Sequence, residues 1–320
     1  MAQEPKRRSP QKTALIAFLQ IACVGYVVHA LWKERAELVK ALDLSASALF
    51  VLLLLMWLAH LQRSLEFTYM LRKLGVNEPF WDGFWLTGAG YLLNHLPFNA
   101  GFVMRASFLK KDHSLSYTKY VSLTMVNALV NVAVGALFGI AAAARGVGGS
   151  GPKPLALIAF TAIVVGSIAV IFWPRGVVLK GNGFIARHLG NLVEGVVLIR
   201  GNGVGILLLS FLALTRIFGV ALRLTICFNA LGAEISPLGA AILAWGTVLF
   251  TLVNVTPGNL GLRELVLSLA AVELGSTQTL GMAAASMDRI VMLAYVIATG
   301  IPGLYSLRRR GPFRSREGSA

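Results

Sequence analysis

Residues 94–101 read NHLPFNAG and residues 254–261 read NVTPGNLG, so both octapeptides fit the pattern Asn-x-x-Pro-x-Asn-x-Gly. Both lie inside long apolar stretches. Proline removes a backbone donor and disrupts the helix before it, and glycine permits a tight turn. Asparagine supplies a side-chain donor and acceptor where backbone groups have lost partners. The pattern therefore predicts that two apolar helices are broken at equivalent points.

The chain around the octapeptides is apolar. Of its 320 residues, 56% are hydrophobic and 13% are charged, whereas a soluble domain carries about 25% charged residues. Many apolar runs reach the roughly 20 residues that a helix needs to cross a bilayer. Because backbone groups in lipid must be satisfied internally, these segments are predicted to be helices. The fold class is therefore an all-α, polytopic integral membrane protein.

Apolar runs between charged residues predict six transmembrane helices, over 13–32, 46–70, 117–142, 155–173, 204–229 and 280–306. Two further apolar regions, 81–109 and 238–273, contain the octapeptides. No small-residue cleavage site follows the basic N-terminus, so the first run is expected to be a retained helix and not a signal peptide. The predicted transmembrane domain covers 13–306, between a basic segment at 1–12 and a basic tail at 307–320.

The loop charges indicate whether the two broken regions cross the membrane. If each enters and leaves on the same side, nearly all loop cations and both termini lie in the cytoplasm, as the positive-inside rule favours. If each crossed once, Lys110, Lys111 and the loop at 174–203 would move outside. The octapeptides are therefore predicted to be the tips of two re-entrant hairpins. The net charge of +15 then reflects topology and anionic headgroups, and no nucleic-acid partner is expected.

Similarity between the two regions extends over segments of about 63–109 and 223–273. Each has an arginine, a Leu-Gly pair, a proline, an apolar helix and an octapeptide in the same order. Three predicted crossings separate equivalent points, so the copies would have opposite orientations. Inverted repeats with broken helices are a transporter architecture. Chance resemblance between two Pro/Gly breaks is the alternative.

Candidate substrate-binding residues are the tip positions and the charges in nearby apolar segments. They are Asn94, Pro97, Asn99, Gly101, Arg105, Arg216, Arg223, Asn254, Pro257, Asn259, Gly261, Arg263, Glu264, Asp288 and Arg289. A helix start follows each tip, and its free N–H groups suit an anion. Two opposed anion-binding pockets are therefore expected. The arginines would contact phosphate, and Glu264 would orient Arg263 or meet a cationic part of the headgroup.

Structural roles are open for several of these charges. Arg216 and Arg223 share one helix face and suit a phosphate group, or they neutralise the buried carboxylates Glu66, Glu264 or Asp288. Glu264 is also placed to cap its own helix. Asp288 and Arg289 are adjacent, so they need not pair with each other and could pair with charges on other helices. The histidines have no metal-ligand spacing, and no metal or cofactor is expected.

Three stretches resemble signatures of the lysylphosphatidylglycerol synthase/flippase transmembrane family: NHLPFNAGFVMRASFLKK at 94–111, TPGNLGLRELVLSL at 256–269 and DRIVMLAYVIATGIPG at 288–303. The resemblance extends over roughly 13–306 and implies lipid translocation between leaflets, or a related role in lipid-linked envelope biosynthesis. In fused family members a cytosolic domain aminoacylates phosphatidylglycerol and the membrane part flips the product. This chain is expected to lack that domain. Asn99, Ala100 and Asn259 depart from the family pattern, so the headgroup cannot be copied from those members.

The leading hypothesis is a flippase of the bacterial inner membrane that acts on a phosphate-bearing lipid. The headgroup would pass through a polar cavity between the two tips while the acyl chains stay in the bilayer. Membrane lipids are the expected partners, with a lipid-modifying enzyme and a homodimer as further options. An enzymatic alternative is a glycosyltransferase using a lipid-phosphate sugar donor, whose carboxylate base would come from Glu34, Glu37, Asp43, Glu234 or Glu273. A third hypothesis is a non-transporting accessory protein, against which the repeated broken helices argue.

Overall fold

The computed structural model describes residues 45–95, 99–147, 151–171, 203–253, 259 and 261–310. Nine helices occupy these ranges: α1 (Ala46–Lys73), α2 (Phe80–Leu93), α3 (Ala100–His113), α4 (Tyr117–Ala144), α5 (Pro154–Ile171), α6 (Gly203–Ala230), α7 (Pro237–Val253), α8 (Leu262–Glu273) and α9 (Gln278–Arg310). The described ranges contain no strand. The all-α prediction is therefore confirmed for this part of the chain.

Four of these helices, α1, α4, α6 and α9, are long and apolar enough to cross a membrane. They match the predicted spans 46–70, 117–142, 204–229 and 280–306. The predicted span 155–173 corresponds to α5, an apolar helix of 18 residues, and the span 13–32 lies outside the described residues. Large apolar side chains such as Phe50, Leu155 and Phe218 are exposed on these helices, as expected for surfaces that face lipid. The chain is a helical membrane protein, and the count of six crossings stays a prediction.

Both regions that contain an octapeptide are broken into two short helices, as predicted. In the first region α2 ends at Leu93 and α3 begins at Ala100. In the second, α7 ends at Val253 and α8 begins at Leu262. The breaks fall on the octapeptides, where proline and glycine disfavour a continuous helix. Whether these hairpins re-enter on one side of the membrane stays a prediction.

The two halves of the chain match in element order and in turn conformation. Helices α1–α4 follow the order long, short, short, long, and α6–α9 repeat it. Gly75 and Gly232 occupy the left-handed region at equivalent turns after α1 and α6, with φ of 80° and 71°. Asn99 and Asn259 also match, with φ of 53° and 54°. The inverted orientation of the two halves across the membrane stays a prediction.

Helix α9 is the element against which both hairpins pack, since α2 and α8 each contact it extensively. Glycines allow α2 and α9 to pack closely against each other. A Cβ atom at Gly303 would lie 2.5 Å from the carbonyl oxygen of Trp85, and one at Gly88 would lie 3.0 Å from that of Thr299. Small residues allow the backbones of membrane helices to approach closely. This packing brings the ends of the hairpins to the centre of the fold.

Candidate functional site

A cavity of about 150 Å³ lies among α1, α2, α6 and α9, next to both hairpin tips. Its lining consists of Met56, Ala59, His60, Arg63, Tyr91, Asn94, His95, Arg223, Asn259, Met292, Tyr295 and Val296. Asn94 and His95 belong to the first octapeptide, and Asn259 belongs to the second. The sequence predicts two opposed pockets at the tips and a polar cavity between them. In the structure, residues of both octapeptides line one cavity.

The cavity wall is divided between polar and apolar side chains. Arg63, Asn94 and His95 supply donors and acceptors, while Met56 and Met292 supply apolar surface. The described lining includes two arginines and no carboxylate. Such a wall can hold a polar, negatively charged group beside an apolar one.

Arg63 projects from the middle of α1 and carries the cavity's uncompensated positive charge. Its Cζ atom lies 4.7 Å from the centroid of the Tyr91 ring, and its Nε atom is buried without a hydrogen-bond partner. Among the described residues, no carboxylate lies within 4.0 Å of it. A cation–π contact of this kind orients a guanidinium group but does not neutralise it.

Arg105, a predicted site residue, approaches the same tyrosine from α3. Its Cζ atom lies 5.8 Å from the Tyr91 centroid and 5.9 Å from the centroid of Phe67. Its Nε donates to the carbonyl of Gly101 at 3.3 Å. No ion pair to a described carboxylate accompanies these contacts. The first half of the fold therefore presents two arginines around one aromatic ring.

In the second half, Asp288 pairs with two of the predicted arginines. The Asp288 side chain is fully buried on α9. Its Oδ1 accepts from Nε of Arg223 at 2.8 Å, and its Oδ2 accepts from Nη2 of Arg263 at 2.5 Å. Arg223 still reaches the cavity wall, but its charge is shared with a buried carboxylate. The alternative that Arg223 balances an internal carboxylate is therefore observed.

Glu264 holds the start of α8 and neutralises Arg289. Its Oε2 accepts the backbone N–H of Gly261 at 2.9 Å, so the capping alternative is observed. Its other oxygen pairs with Nε of Arg289, and Nη2 of Arg289 donates to the carbonyl of Asn259 at 3.1 Å. The sequence suggested that Glu264 orients Arg263, whereas Arg263 contacts Asp288. A carboxylate of the chain itself therefore already accepts the backbone N–H of the residue before α8.

At the start of α3, one backbone N–H also has a partner within the chain. Asn94 ends α2, and its Oδ1 accepts the backbone N–H of Phe102 at 3.2 Å. A Cβ atom at Gly101 would lie 1.8 Å from the carbonyl oxygen of Gly90, so only glycine fits between the two helices. Asn99 is the left-handed residue before α3. These tip residues shape the hairpin, and Asn94 also faces the cavity.

Arg216 belongs to a separate buried cluster between α1, α4 and α6. It pairs with Glu66 and donates from Nη1 to Oδ1 of Asn131 at 3.1 Å. It is not part of the described cavity lining. The sequence suggested that Arg216 and Arg223 could bind one phosphate together. In the structure each arginine contacts a different carboxylate.

His95 offers an acceptor to the cavity that the sequence did not single out. Its Nδ1 lies 3.0 Å from the carbonyl oxygen of Tyr91, so that nitrogen carries the hydrogen. The other nitrogen, Nε2, is buried and has no partner among the described atoms. In neutral histidine this atom accepts a hydrogen bond. Nε2 can therefore accept a hydrogen bond from a hydroxyl group of a bound molecule.

Three predicted site residues, Pro97, Asn254 and Pro257, lie outside the described residues. Among the carboxylates considered for an enzymatic base, Glu34, Glu37 and Asp43 also lie outside them. Glu234 is exposed, and Glu273 lies 3.8 Å from Lys153 in an exposed ion pair. Neither of these two lines the described cavity.

Comparison with known proteins gives one family match. The family described as Lysylphosphatidylglycerol synthase TM region matches residues 13–300, which include both hairpins, the cavity and all predicted site residues. No curated protein and no solved structure matches significantly. The match therefore confirms the resemblance carried by the tip signatures. The chain belongs to the family of the lysylphosphatidylglycerol synthase TM region, a family of membrane proteins related to lipid handling.

Proposed function

We propose that this protein moves a lipid with a phosphate-bearing headgroup between the leaflets of the bacterial inner membrane. The observation that carries the proposal is the single cavity lined by both hairpin tips, through Asn94 and Asn259. Broken helices whose ends meet in the interior are the architecture of transporters with a substrate site in the membrane. Membership of a lipid-related membrane family supports a lipid as the substrate.

In this proposal the headgroup occupies the cavity while the acyl chains stay in the bilayer. Arg63 donates hydrogen bonds to phosphate oxygens, as guanidinium groups do readily. Asn94 supplies a further polar contact, and Met56 and Met292 face the first apolar atoms of the lipid. The buried pairs around Asp288 and Glu264 hold the second hairpin in position. No described residue of the cavity has the carboxylate that the glycosyltransferase alternative requires.

The test is a transbilayer assay in liposomes that contain the purified protein and a fluorescent phospholipid labelled on its acyl chain. A membrane-impermeant reductant bleaches only the outer leaflet. We expect the protein to raise the bleached fraction well above that of protein-free liposomes. Exchanging Arg63 for Gln should reduce the rate, whereas Arg72→Gln, on the exposed end of the same helix, should not. Rates equal to those of protein-free liposomes for every phospholipid would reject the proposal.

A further inference from the structure

Among the described residues, the buried and half-buried charges around the cavity and the neighbouring helices do not balance. Six arginines lie there, namely Arg63, Arg105, Arg216, Arg223, Arg263 and Arg289, against three carboxylates, Glu66, Glu264 and Asp288. All three carboxylates are already in ion pairs with arginines. A formal excess of three positive charges remains, and it includes Arg63 at the cavity wall.

The position of Arg63 makes this excess costly. Ten residues separate it from the end of α1 at Lys73, which is about 15 Å along a helix. With Lys73 at the membrane surface, Arg63 would lie deep within a hydrocarbon core of about 30 Å. A charge at this depth is unfavourable unless it has a partner or water. The contact with Tyr91 offsets only part of the cost, so a bound anion would stabilise the site.

Among the described residues that line the cavity, no carboxylate is present to receive an ammonium group. The remaining described acidic residues are absent from its lining and lie on the surface or in the segments near the outer helix ends; they are Glu78, Asp82, Asp112, Glu234 and Glu273. Glu78 is paired with His113 at 2.7 Å. The stretches of the tips outside the described ranges, 96–98, 254–258 and 260, contain no acidic residue in the sequence.

We propose that the cavity selects a phospholipid whose headgroup is a net anion without an amine, and that Arg63 is the residue that sets this preference. The inference rests on the proposed function and specifies its substrate class. Under this proposal the substrate of this chain differs from lysylphosphatidylglycerol, the net cationic lipid after which the family is named. A zwitterionic or aminoacylated headgroup would bring an ammonium group beside Arg63 with no carboxylate to receive it.

The test measures binding and transport separately. Purified protein in detergent is incubated with equal amounts of phosphatidylglycerol, phosphatidylethanolamine and lysylphosphatidylglycerol, and bound lipid is measured by native mass spectrometry. We expect phosphatidylglycerol to be enriched by about tenfold over each of the others, because only their ammonium groups would meet Arg63 without a carboxylate partner. Arg63→Gln should abolish the enrichment, Arg63→Lys should retain part of it, and Arg72→Gln should leave it unchanged.

Equal or stronger binding of either amine-bearing lipid would overturn the proposal, as would unchanged enrichment in a folded Arg63→Gln variant. Displacement of the lipid by inorganic phosphate at equal concentration would overturn the assignment to a lipid headgroup. The same lipids in the liposome assay separate the two ideas. Selective binding without transbilayer movement would reject the proposed function alone. Equal transport of the lysylated lipid would reject the selectivity alone.

Discussion

Arg223 on α6 donates from Nε to Oδ1 of Asp288 on α9 at 2.8 Å, and both side chains are buried. The same carboxylate accepts from Arg263 on α8 at 2.5 Å. The Asp288 side chain therefore joins three helices. They are α6, α8 of the second hairpin, and α9, which follows that hairpin. Removing one member of a buried ion pair leaves an uncompensated charge and is strongly destabilising.

The Asp288→Asn variant should be the least stable of the conservative charge substitutions. It keeps the side-chain shape but leaves Arg223 and Arg263 without a negative partner, at an expected cost of about 3–5 kcal/mol. The measurement is the midpoint of thermal unfolding in detergent, followed by tryptophan fluorescence. Asp112→Asn is the control, because Asp112 is exposed and should change stability by no more than about 0.5 kcal/mol. Equal midpoints for the two variants would contradict the assigned role of Asp288.

Substitutions of Glu264 should separate its charge from its capping role. Gln keeps an oxygen that can accept the N–H of Gly261 but leaves Arg289 without a charged partner. Ala removes both contacts. We expect both variants to unfold at lower temperature, with Ala losing about 1 kcal/mol more than Gln, which is the usual cost of a lost helix cap. If the two variants unfold at the same temperature, the hydrogen bond from Gly261 to the Glu264 side chain contributes nothing to stability.

Gly101→Ala should destabilise the first hairpin. Its Cβ atom would lie 1.8 Å from the carbonyl oxygen of Gly90 and 2.6 Å from Oδ1 of Asn94, so α2 and α3 would have to separate. Gly246→Ala is the matched control, since nothing lies within 4 Å of its Cβ position. That exchange should be neutral or stabilising by up to about 1 kcal/mol. The measurement is the yield of monodisperse protein after heating and size-exclusion chromatography. Similar losses of yield for both variants would contradict the predicted effect of Gly101→Ala.

His95→Phe should remove recognition of a headgroup hydroxyl and leave the preference for anions unchanged. The wild-type protein is expected to bind phosphatidylglycerol about two- to tenfold more tightly than phosphatidylmethanol, which lacks hydroxyl groups, for one neutral hydrogen bond. The variant should bind both equally. The readout is competition between the two lipids in detergent. A wild-type protein that does not distinguish them would show that Nε2 of His95 is not used.

The broken helices could be predicted because their cause is local. Proline, glycine and asparagine act on the backbone where they stand, and the apolar run lengths set the long helices. Partners of the buried charges could not be read in this way. Asp288 and Arg289 are neighbours in sequence but take different partners, since Asp288 pairs with Arg223 and Arg263 whereas Arg289 pairs with Glu264. Only the packing of α6, α8 and α9 decides which charges meet.

Two cavity residues were missed for a related reason. Arg63 lies inside the predicted span 46–70, where an arginine in a largely apolar segment was a signal that its side chain faces an interior. His95 has Val255 as its counterpart in the second octapeptide, so it is not part of the pattern that the two repeats share. At the two helix starts, Glu264 accepts the backbone N–H of Gly261 and Asn94 accepts that of Phe102, contacts that a motif alone does not reveal.

Helix α9 is held differently by its two short neighbours. Ion pairs through Asp288 and Arg289 join it to α8, whereas α2 meets it along a surface of glycines. Sliding of α8 along α9 would break buried ion pairs, but sliding of α2 along α9 would only exchange van der Waals contacts. We therefore expect α8 and α9 to move as one rigid body during transport, with the shear displacement concentrated between α9 and α2.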